Sequence, residues 1–122
     1  MPDTRKDVLK KQFNDPTSSL TPEEQNALNY HRNNLKSGNF MVQPDGEYTT
    51  FYGSIGNVDG RETLIPTYWN GKILPFEEAL SMAQKSRIKF PSYKTVDEAL
   101  KREKFIHSIM ENDVAEYRKG KK

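Results

Sequence analysis

Two turns closed by glycine set the frame of this chain. Asn70-Gly71 is the preferred dipeptide of a two-residue type I′ hairpin loop, because both positions need a positive φ. Upstream, Asn57-Val58-Asp59-Gly60 supplies another turn. The segments around these turns are rich in β-branched and aromatic side chains: Tyr48, Thr49, Thr50, Phe51 and Tyr52, then Leu64, Ile65, Tyr68 and Trp69, then Ile73 and Leu74. Such residues suit a pleated, half-buried surface. The predicted result is a three-stranded antiparallel meander with strands over residues 47–55, 61–69 and 72–74. Pro66 has no amide hydrogen to give to a ladder, so it is expected at an open edge or a bulge.

After Leu74 the period changes from two to 3.6. Pro75 opens a helix reaching about residue 86, with Phe76, Ala79, Leu80 and Ala83 on one face. Glu77 and Glu78 fall in its first turn, where the helix dipole favours acids. Phe90-Pro91-Ser92-Tyr93 reads as an extended connector. Thr95 and Glu98 form a Thr-x-x-Glu capping box. The helix it starts carries Val96, Ala99, Leu100, Ile106, Ile109, Met110, Val114 and Tyr117 at helical spacing. At 1.5 Å per residue, a helix of about 24 residues outruns a three-stranded sheet. Its part beyond residue 106 must find another surface, either the N-terminal helix or a neighbouring molecule.

The N-terminal third is thinner in apolar residues. Val8, Leu9 and Phe13 stand among charges in a segment too short to be a stable isolated helix. Residues 14–19 read as a turn. Thr21, Pro22 and Glu24 are a strong helix start, and Ser37-Gly38 a strong stop. Between them Ala27, Leu28, His31 and Leu35 make one narrow stripe. The resulting expectation is an α+β fold. Residues 46–122 hold the β-meander followed by two helices, and residues 1–45 form a helical and extended N-terminal arm.

Composition bears on how such a chain closes its core. With 122 residues and 34% hydrophobic content, it lies below the roughly 45–50% apolar content of ordinary globular domains. Six Phe, six Tyr and one Trp argue against disorder, which is poor in aromatics. The expected outcome is a small packed unit in the middle of the chain, with the rest extended or with folding completed against a partner. Trp69, Leu64, Phe76, Leu80, Phe90, Val96 and Leu100 are expected to hold that unit together.

Chemistry is sparse. The absence of cysteine removes disulfides, thiolate metal sites and thiol nucleophiles. His31 sits on a helix stripe and His107 beside one, so each reads as a packed or surface histidine. Glycine-rich phosphate loops, a nucleophile elbow and His-Glu-x-x-His are all missing. Asp45-Gly46 and Asp59-Gly60 are accounted for as turns, without the alternating ligands of a calcium loop. Adjacent Glu77 and Glu78 point apart around their helix. The expectation is no enzyme, no cofactor and no metal. A net charge of +2 gives no strong pull toward nucleic acid or an anionic membrane. Residues 1–6 lead into polar sequence rather than a signal-peptide core, and no apolar run reaches the roughly 20 residues of a membrane span.

From Ser54 to about residue 104 the chain resembles a module of tailed-bacteriophage virion and DNA-ejection proteins. A strand bearing Leu64-Ile65-Pro66-Thr67 precedes the Asn70-Gly71 turn. A Glu77-Glu78-Ala79 helix follows, then Phe90-Pro91-Ser92-Tyr93, then a Thr-x-x-Glu-Ala helix from Thr95 to Ala99. The agreement of several motifs in order and spacing is more specific than any one of them. The resemblance implies a virion structural or virion-associated component in the head, portal or tail, with no catalytic residues to carry over. The implied location is the virion, after synthesis in the host cytoplasm.

On this reading the partners are other phage structural proteins, in multiple copies. Val8, Leu9, Phe13, Leu28, Leu35, Ile109, Met110, Val114 and Tyr117 are the expected partner-binding residues. An alternative is a phage nucleic-acid-binding or ejected accessory protein. There Tyr48, Tyr52 and Tyr68 would stack bases beside Lys85, Arg87, Lys89 and Lys94. A regulator of a host protein is a third class, which no sequence feature favours.

Overall fold

The computed structural model of the protein describes residues 16–120. Val8, Leu9 and Phe13 lie outside the described residues. A 3₁₀ turn at Pro16–Ser19 leads to helix α1, Pro22–Ser37. The sequence signals at both ends act as expected. Thr21 Oγ1 accepts from the Glu24 N–H, Glu24 reaches back to the Thr21 N–H, and Gly38 closes the helix in the left-handed region at φ 78°. Next come β1 (Met41–Val42) and β2 (Tyr48–Thr49), which pair as a short ribbon, then β3 (Gly53–Val58) and β4 (Arg61–Pro66). β5 (Tyr68–Trp69) and β6 (Lys72–Ile73) form a second ribbon. Helix α2 covers Phe76–Ser86, β7 Ser92–Tyr93 and helix α3 Val96–Gly120.

The class is α+β with antiparallel strands, and the strand order corrects the expected meander. The three-stranded sheet runs β3-β4-β7, with Glu62 opposite Tyr93 and Thr63 opposite Ser92. Its third strand is therefore the segment read as a connector, which returns after α2. Residues 72–73 pair only within their own ribbon. The ladder breaks on both strands at one level. Pro66 ends β4 with no N–H to offer, and its partner strand begins at Gly53, just after Tyr52 turns left-handed at φ 49°. Thr67 stitches the break, its N–H to the Phe51 carbonyl at 2.9 Å and its hydroxyl to the Tyr52 carbonyl. Both hairpin turns do carry paired positive φ values, at Asp59-Gly60 and Asn70-Gly71.

β4 is the spine of the core. Leu64 and Ile65 point to opposite faces and are both buried, because β4 packs on α2 as well as α3. All three helices supply small residues at their contacts: Ala27, Ala79, Ala83 and Ala99 are all buried. Close approach of backbones lets few aliphatics fill the space. Gly56 extends the same logic, since a Cβ there would stand 2.4 Å from the Phe76 ring.

Two further expectations change. Val96 and Leu100 were assigned to the core, yet they are 51% and 47% exposed, while Ala99, Ile106, Ile109 and Met110 take the inward positions. The four inward residues all belong to the stripe read in the sequence, while Val96 and Leu100 lie beside the line that Ala99 buries and stay exposed. Nor is α1 a weakly held arm in its packing. Ala27 and Leu28 are fully buried in the same cluster as the sheet, and α1 lies along the distal half of α3. The surplus length of α3 thus finds its cover within the chain.

The tie between α1 and the rest is a buried carboxylate. Glu24 is fully buried; its Oε1 accepts from Arg102 Nη2 at 2.7 Å and its Oε2 from Arg102 Nε at 2.9 Å. The Tyr93 hydroxyl donates to Oε2 at 2.7 Å. Burial alone would push the Glu24 pKa up; the bonds from Arg102, Thr21 and Tyr93 outweigh it and bring the value down to about 2 from an ordinary 4.5.

A depressed folded-state pKa adds stability that is complete above about pH 4.5 and is lost as pH falls toward about 2. The shift corresponds to about 3 kcal/mol. The unfolding midpoint of the wild type is expected to fall across that window, and Glu24→Gln to lower it at pH 7 and flatten the acid limb. Equal acid limbs in the two proteins would contradict the assignment. Gly56→Ala is expected to cost about 1–3 kcal/mol in urea unfolding through collision with Phe76.

Candidate interaction surface

A concavity of about 970 Å³ lies between the β1–β2 ribbon and α3. Helical spacing builds one wall. Ile106, Met110 and Val114 recur every four residues and form an apolar row. Glu103, His107 and Glu111 recur at the same spacing and run alongside it, with the His107 Nε2 2.7 Å from Glu111 Oε1. The opposite wall is the turn between β1 and β2, where Asp45 Oδ1 accepts from the Glu47 N–H at 3.0 Å and both residues are exposed. Phe51 and Leu64 close the floor.

One end is sealed by aromatics. Phe40 stacks on Tyr48 with centroids 4.5 Å apart, Tyr117 meets both edge-on, and the Arg118 guanidinium lies 5.3 Å from the Tyr48 ring centre. The other end is open and carries two apolar residues in water: Tyr52 is 58% exposed and Ile73 40%. Tyr52 holds this pose with a left-handed backbone, which costs an L-residue about 1–2 kcal/mol. The bonds from Thr67 to its carbonyl offset that cost.

Beneath the groove runs a polar strut. His31 is 1% exposed; its Nδ1 meets the Thr50 hydroxyl and its Nε2 lies 3.3 Å from Asp113 Oδ2. Arg32 binds both Asp113 oxygens, at 2.8 and 3.1 Å. Burial would raise the Asp113 pKa; His31 and Arg32 overcome it and hold it below the usual carboxylate range. Hydroxyl, imidazole and carboxylate follow one another here as they do in a nucleophile triad. The arrangement differs from one in what each group can reach: Thr50 is buried, and Asp113 is committed to a guanidinium. Its evident work is to join α1, α3 and the connection between β2 and β3. Among the described residues no group of three or more His, Asp and Glu side chains is placed to hold a metal ion, and no helix is long and apolar enough to cross a membrane.

The expected partner-binding residues are mostly interior. Leu28, Leu35, Ile109 and Met110 are buried, because α1 and α3 cover one another. Tyr117 packs on Phe40 and Tyr48. Val114, with the edge of Met110, borders the groove. The aromatics expected to stack bases fare unevenly: Tyr68 is 1% exposed with its hydroxyl on Asn39, Tyr48 is covered by Phe40, and Tyr52 alone stands free among carboxylates. Sequence reading placed Tyr52 on the surface in the base-stacking alternative but missed Ile73 and the acidic rim as surface features. The four-residue spacing of Glu103, His107 and Glu111 was the available signal. Comparison with protein-family models, with curated proteins and with solved structures finds no match.

Replacing Tyr52 by glycine relieves the left-handed backbone while removing only an exposed ring. Tyr52→Gly is expected to leave stability unchanged or raise it by about 1 kcal/mol in urea unfolding, with Tyr52→Ala no better than wild type. A clear loss in the glycine variant would mean that the ring packs rather than projects.

Proposed function

We propose that this protein is a structural or virion-associated component of a tailed bacteriophage, acting through protein–protein contacts in a head, portal or tail assembly rather than through catalysis. The observation that carries the reading is the ordered set of motifs over residues 54–104, each of which occupies a joint of the fold. Leu64-Ile65-Pro66-Thr67 is the central strand and its break, and Asn70-Gly71 the ribbon turn. Ala79 seats α2, Ser92-Tyr93 is the third strand, and Thr95 caps the helix that Ala99 seats, accepting from the Glu98 N–H at 3.1 Å. Motifs of this kind specify a scaffold, and their resemblance to a phage module therefore speaks to a shared scaffold with no reaction attached.

The reading does not draw on apolar faces left over on the flanking helices, since α1 and α3 pack on each other. Its support is the resemblance together with a surface that displays Tyr52 and Ile73 beside a groove. The nucleic-acid alternative loses ground on a specific point: its stacking platform is buried at Tyr68 and covered at Tyr48, and the exposed Tyr52 lies where phosphates would meet carboxylates.

Mass spectrometry of purified particles from cells making this chain tests the proposal. The chain is expected in gradient-purified virions at a fixed ratio to the major capsid protein. Its absence from them would exclude the structural role.

A further inference from the structure

We infer that the groove between the β1–β2 ribbon and α3 docks a short peptide segment that is both cationic and apolar, belonging to a partner protein; this deepens the function proposed above and rests on it for the partner's being a protein. The chemistry of the rim argues for the charge. Asp45, Glu47, Glu103 and Glu111 border the groove, against one guanidinium, Arg118, which is already engaged over Tyr48. The chain as a whole is net positive, at +2, so this concentration of acid is local. Glu47 and Glu103 have no ion-pair partner among the described residues, so an incoming ammonium or guanidinium displaces nothing.

The α3 wall argues for the apolar part. Lysine and arginine can lay their aliphatic stems along Val114, the half-buried member of its apolar row, while their heads reach the rim carboxylates. Tyr52 and Ile73 form an exposed apolar lip at the open end, and a rigid tyrosine of this kind is a favoured anchor in protein contacts. A volume of about 970 Å³ suits a short segment, not a folded domain. An acidic peptide or a phosphate backbone would face the rim as like charge.

The full chain, titrated with a short fluorescent peptide carrying Leu and Lys at helical spacing and with its Leu–Glu counterpart, tests the inference. The Lys peptide is expected to bind at least about tenfold more tightly, and to weaken as salt rises. Glu103→Lys with Glu111→Lys is expected to reverse the preference. Tyr52→Gly is expected to keep the unfolding midpoint and lose about tenfold in affinity. Equal affinity for the two peptides, binding of neither, or a preference that survives the charge reversal in a folded variant would overturn it. A chain present in virions that discriminates neither peptide removes the groove and leaves the function standing. Selective binding by a chain missing from virions does the reverse.

Discussion

The buried carboxylate of Glu24 is the point on which the architecture turns. It starts α1, accepts the hydroxyl of β7 and receives the guanidinium of α3, so three elements far apart in sequence meet on two oxygen atoms. Taking an ionised carboxylate out of water costs several kcal/mol unless its lone pairs are satisfied. Here a fork of two Arg102 donors, a backbone N–H and a phenol satisfy them, and Arg102 adds a bond to the Ser19 carbonyl at 3.2 Å. Tyr93 feels the same arrangement from the other side: burial and then the Glu24 carboxylate push its hydroxyl pKa up, keeping it a proton donor. Losing one partner would leave the others buried and unpaired, which is what makes the junction specific.

A second strut, His31–Asp113–Arg32, ties the same two helices farther along. The apolar filling around them combines Leu28, Ile106 and Ile109 with alanines at the helix contacts and one aromatic hub, Tyr30, whose ring meets Phe51, Trp69 and Phe90 within 6 Å. The low hydrophobic content of the chain is met in this way inside the molecule. Buried polar pairs and close backbone contacts take the place that more leucine would hold in a richer core.

This explains which parts of the structure were legible in the sequence. The Thr21–Glu24 capping box, the Thr95 cap and the Asn70-Gly71 turn depend on residues within four positions of one another and are as read, save that Glu98 reaches back to the Lys94 N–H rather than to that of Thr95. The α+β class is as read too. What escaped depends on long-range pairing. Ser92-Tyr93 has no strand pattern of its own and becomes a strand because Glu62 and Thr63 lie beside it. The core roles expected of Val96 and Leu100 failed because Ala99, a residue with little apolar weight, decides which side of α3 faces in. Likewise Glu24 reads as a capping residue, and nothing local says that an arginine 78 positions away will also claim it. The groove was hidden for the same reason: its walls come from segments widely separated in the sequence.

That separation has a functional logic. The motif-bearing stretch, residues 54–104, supplies the sheet, the ribbon turn and the helix seats. The groove draws chiefly on residues 43–53 and 103–118, which flank it. Side chains within the module are committed to packing: Gly56 cannot enlarge under Phe76, and Leu64 and Ile65 have no free face. The side chains of Glu47, Glu103, Tyr52 and Ile73 stand at the groove without such a packing duty. Even the strain at Tyr52 belongs to this division, since the break that turns its ring outward is held from inside by Thr67, itself buried in the frame. A scaffold that fixes its own geometry with buried polar ties can thus present a tuned surface on its two flanks, and recognition there can differ between proteins that share the frame.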